Sequence, residues 1–218
     1  MGIQERKARE KRARQEAILQ AARQVFLAKG LDQATIEEIA EIAELSKGTI
    51  YLYFSSKEEL YISVLSQGLT ELIEKFRAIS QKQGGNEGAD TLLRTMKDEY
   101  YAFFATYPEF FHMNSMLYQG RIKEKVAPDV WKASHEKMRA ALTLLADIIE
   151  HGVQSGIFRQ LDSWRAANSL WGAATGVMLM LSDEEHQELL NIPVKELVDE
   201  TIDMLIMAMS KQTDVATD

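Results

Sequence analysis

Three helix starts crowd into one short stretch, and that leaves the chain few ways to fold there. Thr35-Ile36-Glu37-Glu38 and Ser56-Lys57-Glu58-Glu59 are both capping boxes, and Ser46 between them is a third N-cap residue. In each box a hydroxyl satisfies orphan backbone N–H groups at a helix start, and a glutamate three residues on reaches back to the cap. Behind Thr35 the apolar residues Ile36, Ile39, Ala40 and Ala43 recur at helical spacing. Starting from Ser46, a second short helix runs to about Tyr53. Only Glu44-Leu45-Ser46 separates the two, which is the spacing of a helix-turn-helix.

The same punctuation organises the rest. Ile18, Leu19, Ala22, Val25 and Phe26 define a first helix that Gly30 stops. Behind Ser56, a stripe of Tyr61, Val64, Leu65, Leu69, Leu72, Ile73 and Phe76 predicts a long fourth helix. After the loop Gln83–Gly88 a fifth helix runs from Ala89 to Tyr107, stopped by Pro108, and a sixth from Glu109 to about Gln119. Pro128 opens a seventh that Gly156 ends. Asp162 or Ser163 caps an eighth through Leu181, and Pro193 opens a ninth, Val194 to about Lys211. Sustained period-2 alternation is absent, so no strand is expected. The fold class is therefore all-α: a three-helix head followed by a helical bundle. The domain boundary is expected after residue 58, giving 1–58 as the head and 59–218 as the bundle.

Composition narrows the chemistry. With no cysteine there is no disulfide frame, thiolate metal site or cysteine nucleophile. The four histidines are scattered, and no nucleophile–base set, phosphate loop or paired-carboxylate signature is present, so neither an enzyme nor a bound cofactor or metal is expected. The longest apolar run, Gly172 to Leu181, is about half the ~20 residues a bilayer crossing needs. The charged N-terminus does not read as a secretory signal, and a cytoplasmic location without a membrane partner is expected. Although the net charge is −8, residues 1 to 30 carry eight Lys/Arg against three Glu. Such a basic start on an acidic body suits a nucleic-acid arm. It equally suits a solvated helix start, since Glu5/Arg9 and Glu10/Arg14 are i,i+4 pairs.

In the short helix from Ser46, Ile50 and Phe54 should face inward. Lys47, Gly48, Thr49, Leu52 and Tyr53 are then outward, with Tyr51 at the flank. That set suits DNA. Lys47 brings a cation for a phosphate or a guanine edge, Gly48 lets the backbone approach, and Thr49 and the tyrosines bring hydroxyls. Lys57 and the N–H groups of the fourth helix form a second anion site.

At this point the sequence resembles the TetR/AcrR family of transcriptional regulators. The likeness is carried by Ile18-Leu19-Gln20-Ala21-Ala22, Phe26, Lys29-Gly30-Leu31, Ala34-Thr35-Ile36, Ile39-Ala40, Leu45 through Phe54, and Ser56-Lys57-Glu58-Glu59-Leu60. One departure is Glu44, where the family usually has a small residue, often Gly. The resemblance implies a ligand-responsive regulator, a repressor that binds a palindromic double-stranded DNA operator as a homodimer and is released by a small apolar or amphipathic effector. It implies DNA contacts at Thr35, Ser46, Lys47, Gly48, Thr49, Tyr51, Leu52, Tyr53 and Lys57, with Arg9, Arg12 and Arg14 in the basic arm. The competing reading is a helical protein-interaction adaptor, which would leave the outward face after Ser46 idle.

For the effector, the aromatic and methionine-rich stretch supplies Tyr100, Phe103, Phe104, Met113, Met116 and Leu117, with Trp131, Trp171 and Met178 further on. The same residues read individually as ordinary core. The eighth and ninth helices are the expected dimer surface. Leu170, Ala173, Ala174, Val177, Met178 and Leu181 form one face, and Leu197, Ile202, Leu205, Ile206 and Met209 the other.

Overall fold

The computed structural model describes residues 2–85, 87–108, 123–181 and 184–211. The helices among them are α1 (Ile3–Gln33), α2 (Ile36–Ile42), α3 (Lys47–Tyr51), α4 (Lys57–Ser80), α5 (Ala89–Thr106), α6 (Pro128–Gln154), α7 (Ser163–Met180), α8 (Glu184–Leu190) and α9 (Val194–Met209), with one 3₁₀ turn at Lys123–Lys125. No strand forms among the described residues; a single antiparallel bridge joins Phe158 to Ser210. The eighth and ninth helices expected from the sequence are α7 and α9. The expected sixth helix and the tail from Gln212 lie outside the described residues. Helix α8 has no counterpart in the sequence reading, because Glu184–Leu190 holds only Leu189 and Leu190 as apolar residues and so shows no stripe. No described helix is long and apolar enough to cross a membrane.

Two compact units divide the chain: residues 1–68 with 107–136, and 69–106 with 137–218. The boundary expected after residue 58 falls inside the first unit, so that α4 supplies residues to both.

The first unit is built on α1. Its inward face of Ile18, Leu19, Ala22, Val25 and Phe26 is buried, as is the face of α2 formed by Ile36, Ile39 and Ala40. Ile50 and Phe54 close the same core, together with Leu60 and Tyr61 of α4. Phe26 meets Tyr61 edge-on at 4.7 Å, a favoured ring geometry. Each Ile or Phe buried here contributes roughly 1.5–3 kcal/mol. Residues 4–14 are exposed yet helical, so the basic start continues α1 rather than forming a separate arm. Its Ala, Arg, Lys, Glu and Gln content favours helix without help from packing. Glu5 accepts the Gly2 N–H at 2.9 Å, and the i,i+4 ion pair present is Arg6–Glu10. Gly30 interrupts the helix at φ +68°, a conformation only glycine takes easily.

The second unit packs α5, α7, α9 and the later parts of α4 and α6 around a core that includes Leu72, Phe76, Leu92, Met96, Ile148, Leu170, Met178 and Ile202. Both the α7 and α9 stripes expected at a dimer surface contribute to this core, through Leu170, Ala174 and Met178 and through Ile202, Ile206 and Met209. Other positions on those helices stay open, notably Met180, Met204 and Met207. Lys97 of α5 pairs with Asp199 of α9, and Lys195 of α9 reaches Asp98 of α5 at 3.5 Å, tying the two helices. Gly156, at φ +77°, ends α6 and turns the chain so that Phe158 folds back on Gly152. The Phe158 N–H donates to the Gly152 carbonyl at 3.0 Å, and its ring covers the place a side chain on Gly152 would fill.

That contact sets a test. Gly152→Ala forces a methyl group into the buried Phe158 ring and against Ala89. It should lower stability by about 1–3 kcal/mol, read as a drop in the denaturant midpoint with an unchanged m-value.

Candidate nucleic-acid interface

The helix-turn-helix is assembled by its caps. Thr35 Oγ1 accepts the Glu38 N–H at 3.3 Å, and a Glu38 carboxylate oxygen accepts the Thr35 N–H at 3.1 Å, completing the first box. Ser46 Oγ accepts the Thr49 N–H at 3.1 Å and starts α3. Between them the chain reverses through a Schellman motif. The Leu45 N–H donates to the Ala40 carbonyl at 2.9 Å and the Glu44 N–H to the Glu41 carbonyl at 3.1 Å, which leaves Glu44 left-handed at φ +54°. This is the position the resemblance marks as usually small. A glutamate there adopts the turn at a backbone cost of about 1–2 kcal/mol.

The recognition segment presents the face expected of it. Ile50 and Phe54 are buried, whereas Leu52 is 82% exposed and Tyr51 45% exposed. Ser46, Lys47 and Gly48 are also exposed, with Thr49 and Tyr53 half-buried. Helix α3 ends at Tyr51, two residues before the expected end. Tyr53 and Phe54 instead close a tighter turn by donating to the Ile50 carbonyl at 2.9 and 3.0 Å. A methyl group on Gly48 would meet only Ser46 Oγ, at 3.8 Å, so internal packing does not demand glycine there.

Several of the candidate contacts already have partners within the head. Ser46 Oγ lies 2.9 Å from Thr49 Oγ1, and Thr35 Oγ1 donates to the Glu38 carboxylate at 3.0 Å. Lys57, at the start of α4, donates to the carbonyls of Ala34 (2.9 Å) and Asp32 (3.3 Å), which draws α4 to the junction beside Thr35. Lys47 pairs with Glu37 on the first turn of α2. Each shifts the other: hydrogen bonding from Lys47 holds the Glu37 carboxyl below its ordinary range, and hydrogen bonding to Glu37 raises Lys47. Lys29 does the same for Glu38, with Thr35 adding to it. Sequence spacing gave no sign of the Glu37–Lys47 pair, because its members sit ten residues apart on different helices. Arg9, Arg12 and Arg14 lie exposed on the first turns of α1.

Of the candidate effector residues, Tyr100 and Trp171 sit together in the second unit, ring centres 4.2 Å apart. They line a small cavity of about 30 Å³ with Phe76, Met96, Ile202 and the stem of Lys97. Tyr100 Oη and Thr175 Oγ1 are 2.7 Å apart, and Thr175 donates on to the Trp171 carbonyl, so this wall is satisfied internally. Phe103 and Met178 are buried in the unit's core and Phe104 is half-buried beside Tyr101. Trp131 belongs to the first unit, against His135. Met113, Met116 and Leu117 lie outside the described residues.

Residues 18–64 match the model of the family described as bacterial regulatory proteins, tetR family. The HTH-type transcriptional repressor KstR2 of Rhodococcus jostii is 29% identical over 149 residues, 68% of this chain and 70% of that protein. A fatty acid metabolism regulator protein of Bacillus subtilis is 26% identical over 166 residues, 75% of this chain and 81% of its own length. The crystal structure of the transcriptional regulator FadR from Bacillus subtilis in complex with stearoyl-CoA shares the fold with a TM-score of 0.67, at 20% identity over 89% of this chain and 98% of that one. A capped helix-turn-helix with an open recognition face thus lies inside the segment that matches the family: residues 18–64 form a TetR-family DNA-binding domain, and the protein is a DNA-binding transcriptional regulator.

Proposed function

We propose that this regulator is a repressor that binds a palindromic operator as a homodimer and lets go when an amphipathic acyl compound, of the acyl-CoA class, occupies its second unit. The observation that carries the DNA half is the face of α3, where Lys47, Gly48, Tyr51 and Leu52 stand open on a core closed by Ile50 and Phe54. Leu52 offers an apolar surface to a thymine methyl, Lys47 a cation, and Gly48 room for the backbone. Thr35 and Lys57 sit together where a phosphate would pass, and the arginines at the start of α1 add positive charge.

Dimerisation follows from the need to read two half-sites about one helical turn apart, ~34–36 Å. The open methionines on α7 and α9, Met180, Met204 and Met207, supply adaptable apolar surface for an isologous pairing of those helices.

The effector half rests on two supports. Relatives include a regulator of fatty acid metabolism and a FadR that holds stearoyl-CoA. In this chain the cavity beside Tyr100 and Trp171 is walled by apolar groups and Met96. At about 30 Å³ it holds one water rather than an acyl chain, so entry of a ligand has to part α5 from its neighbours. Phe76 of α4 is in that wall, and the first residue of the same helix is Lys57. A push on Phe76 therefore acts on the helix that ends at the Asp32 and Ala34 carbonyls. Coupling of ~1–3 kcal/mol changes operator affinity about 5- to 150-fold.

Gel shifts on a palindromic fragment from beside the encoding gene, with and without stearoyl-CoA, test release; equal affinities defeat it. Gly48→Ala separates contact from fold. It should leave the melting temperature unchanged or slightly higher, because alanine is the better helix former, while weakening operator binding. Retained binding would remove Gly48 from the interface. Lys47→Ala should cost about 1–3 kcal/mol of operator binding with the melting temperature unchanged.

A further inference from the structure

The first turn of α2 carries two carboxylates, and they do different work. Glu38 belongs to the capping box with Thr35 and holds Lys29 of α1. Glu37 takes no part in the box and pairs across the turn with Lys47, the first residue of α3. The fold gains little from that contact. Both side chains are open to solvent, at 62% and 50% exposure, and exposed ion pairs contribute little to stability. A lysine at the first helical position is also set against the positive end of its own helix. Nothing in the packing of the head asks for a cation there.

We propose that Glu37 is a specificity-determining residue of the DNA interface: it occupies the Lys47 ammonium in the free protein and gives it up only where the rest of α3 fits the duplex. The proposal rests on the reading of Lys47 as a DNA contact. Binding to arbitrary DNA is driven by phosphate neutralisation and the release of condensed counterions. A lysine already matched by a carboxylate gains little from a phosphate, because it exchanges one anionic partner for another. On arbitrary sequence the exchange is therefore unrewarded. On a fitting sequence, contacts from Leu52, Thr49 and the tyrosines form at the same time and offset it. Glu37 thus lowers affinity everywhere, but most where affinity is purely electrostatic. The mutual stabilisation of the two charged forms agrees with a pair that exists before DNA arrives.

The test uses Glu37→Gln, Lys47→Ala and the double variant in the full chain, with melting curves to establish that each is folded. Binding to a fluorescent random-sequence duplex is followed by anisotropy across a salt series. A palindromic duplex selected with the unmodified protein is measured alongside. Glu37→Gln should bind the random duplex several-fold more tightly, with the log–log salt dependence steeper by about one unit. Its gain on the selected duplex should be smaller, so that discrimination falls. In the Lys47→Ala background the gain should vanish. If Lys47→Ala weakens binding but Glu37→Gln changes neither affinity nor slope, the inference is overturned while the assignment of α3 stands. A gain that survives in the double variant also overturns it, since Glu37 would then act on phosphates directly. If Lys47→Ala leaves both duplexes bound as before, the contact assignment fails and takes the inference with it.

Discussion

The head depends on reversing the chain in three residues without leaving a backbone group unsatisfied. The turn after α2 meets that demand with two hydrogen bonds, Leu45 to Ala40 and Glu44 to Glu41, before Ser46 takes up the next orphan donor at Thr49. The angle between α2 and α3 follows from this turn, and so does the face that α3 presents. If the turn were looser, Ile50 could not reach the core under α1, and Leu52 would lose its fixed exposure. Glu44 is the strained point in the scheme, a side chain placed where glycine would sit without cost. Because the strain lies beside the recognition helix, relieving it affects a part of the molecule that also carries function.

Much of this was legible from the residues. Capping boxes are local chemistry, so Thr35/Glu38 and Ser46 could be read with their partners before any fold was known. The inward pair Ile50 and Phe54, and the buried stripe of α1, followed from helical spacing. Less local features were harder. The boundary near Gly68 was invisible because α4 runs through it without a turn signal. Lys57 read as an anion ligand, yet its ammonium also ties down the carbonyls of Asp32 and Ala34, which sequence spacing cannot reveal. The same holds for Glu37, whose partner lies across the turn.

In the second unit, pattern alone could not separate lining from core. Tyr100, Phe103 and Met178 all fall at buried positions of their helices, but Tyr100 borders a cavity while Met178 is wholly enclosed. What distinguishes Tyr100 is its neighbours from other helices, Trp171 at 4.2 Å and the Thr175 hydroxyl at 2.7 Å. Residues on α7 and α9 divide in a similar way. Ile202 and Met209 turn inward against the unit's own core, whereas Met204 and Met207 do not. A single apolar stripe in the sequence thus serves two surfaces.

From Gln4 to Ala17 the opening turns of α1 bury no side chain. Their hydrogen-bonded spiral is held only by backbone preference and a few charged neighbours, so it unwinds from its tip inward, turn by turn, with no cooperative threshold. Cold lengthens it, and warmth shortens it. The reach of this positively charged spine from the protein surface is consequently a graded quantity set by the medium, while the rest of the head keeps one geometry until it melts.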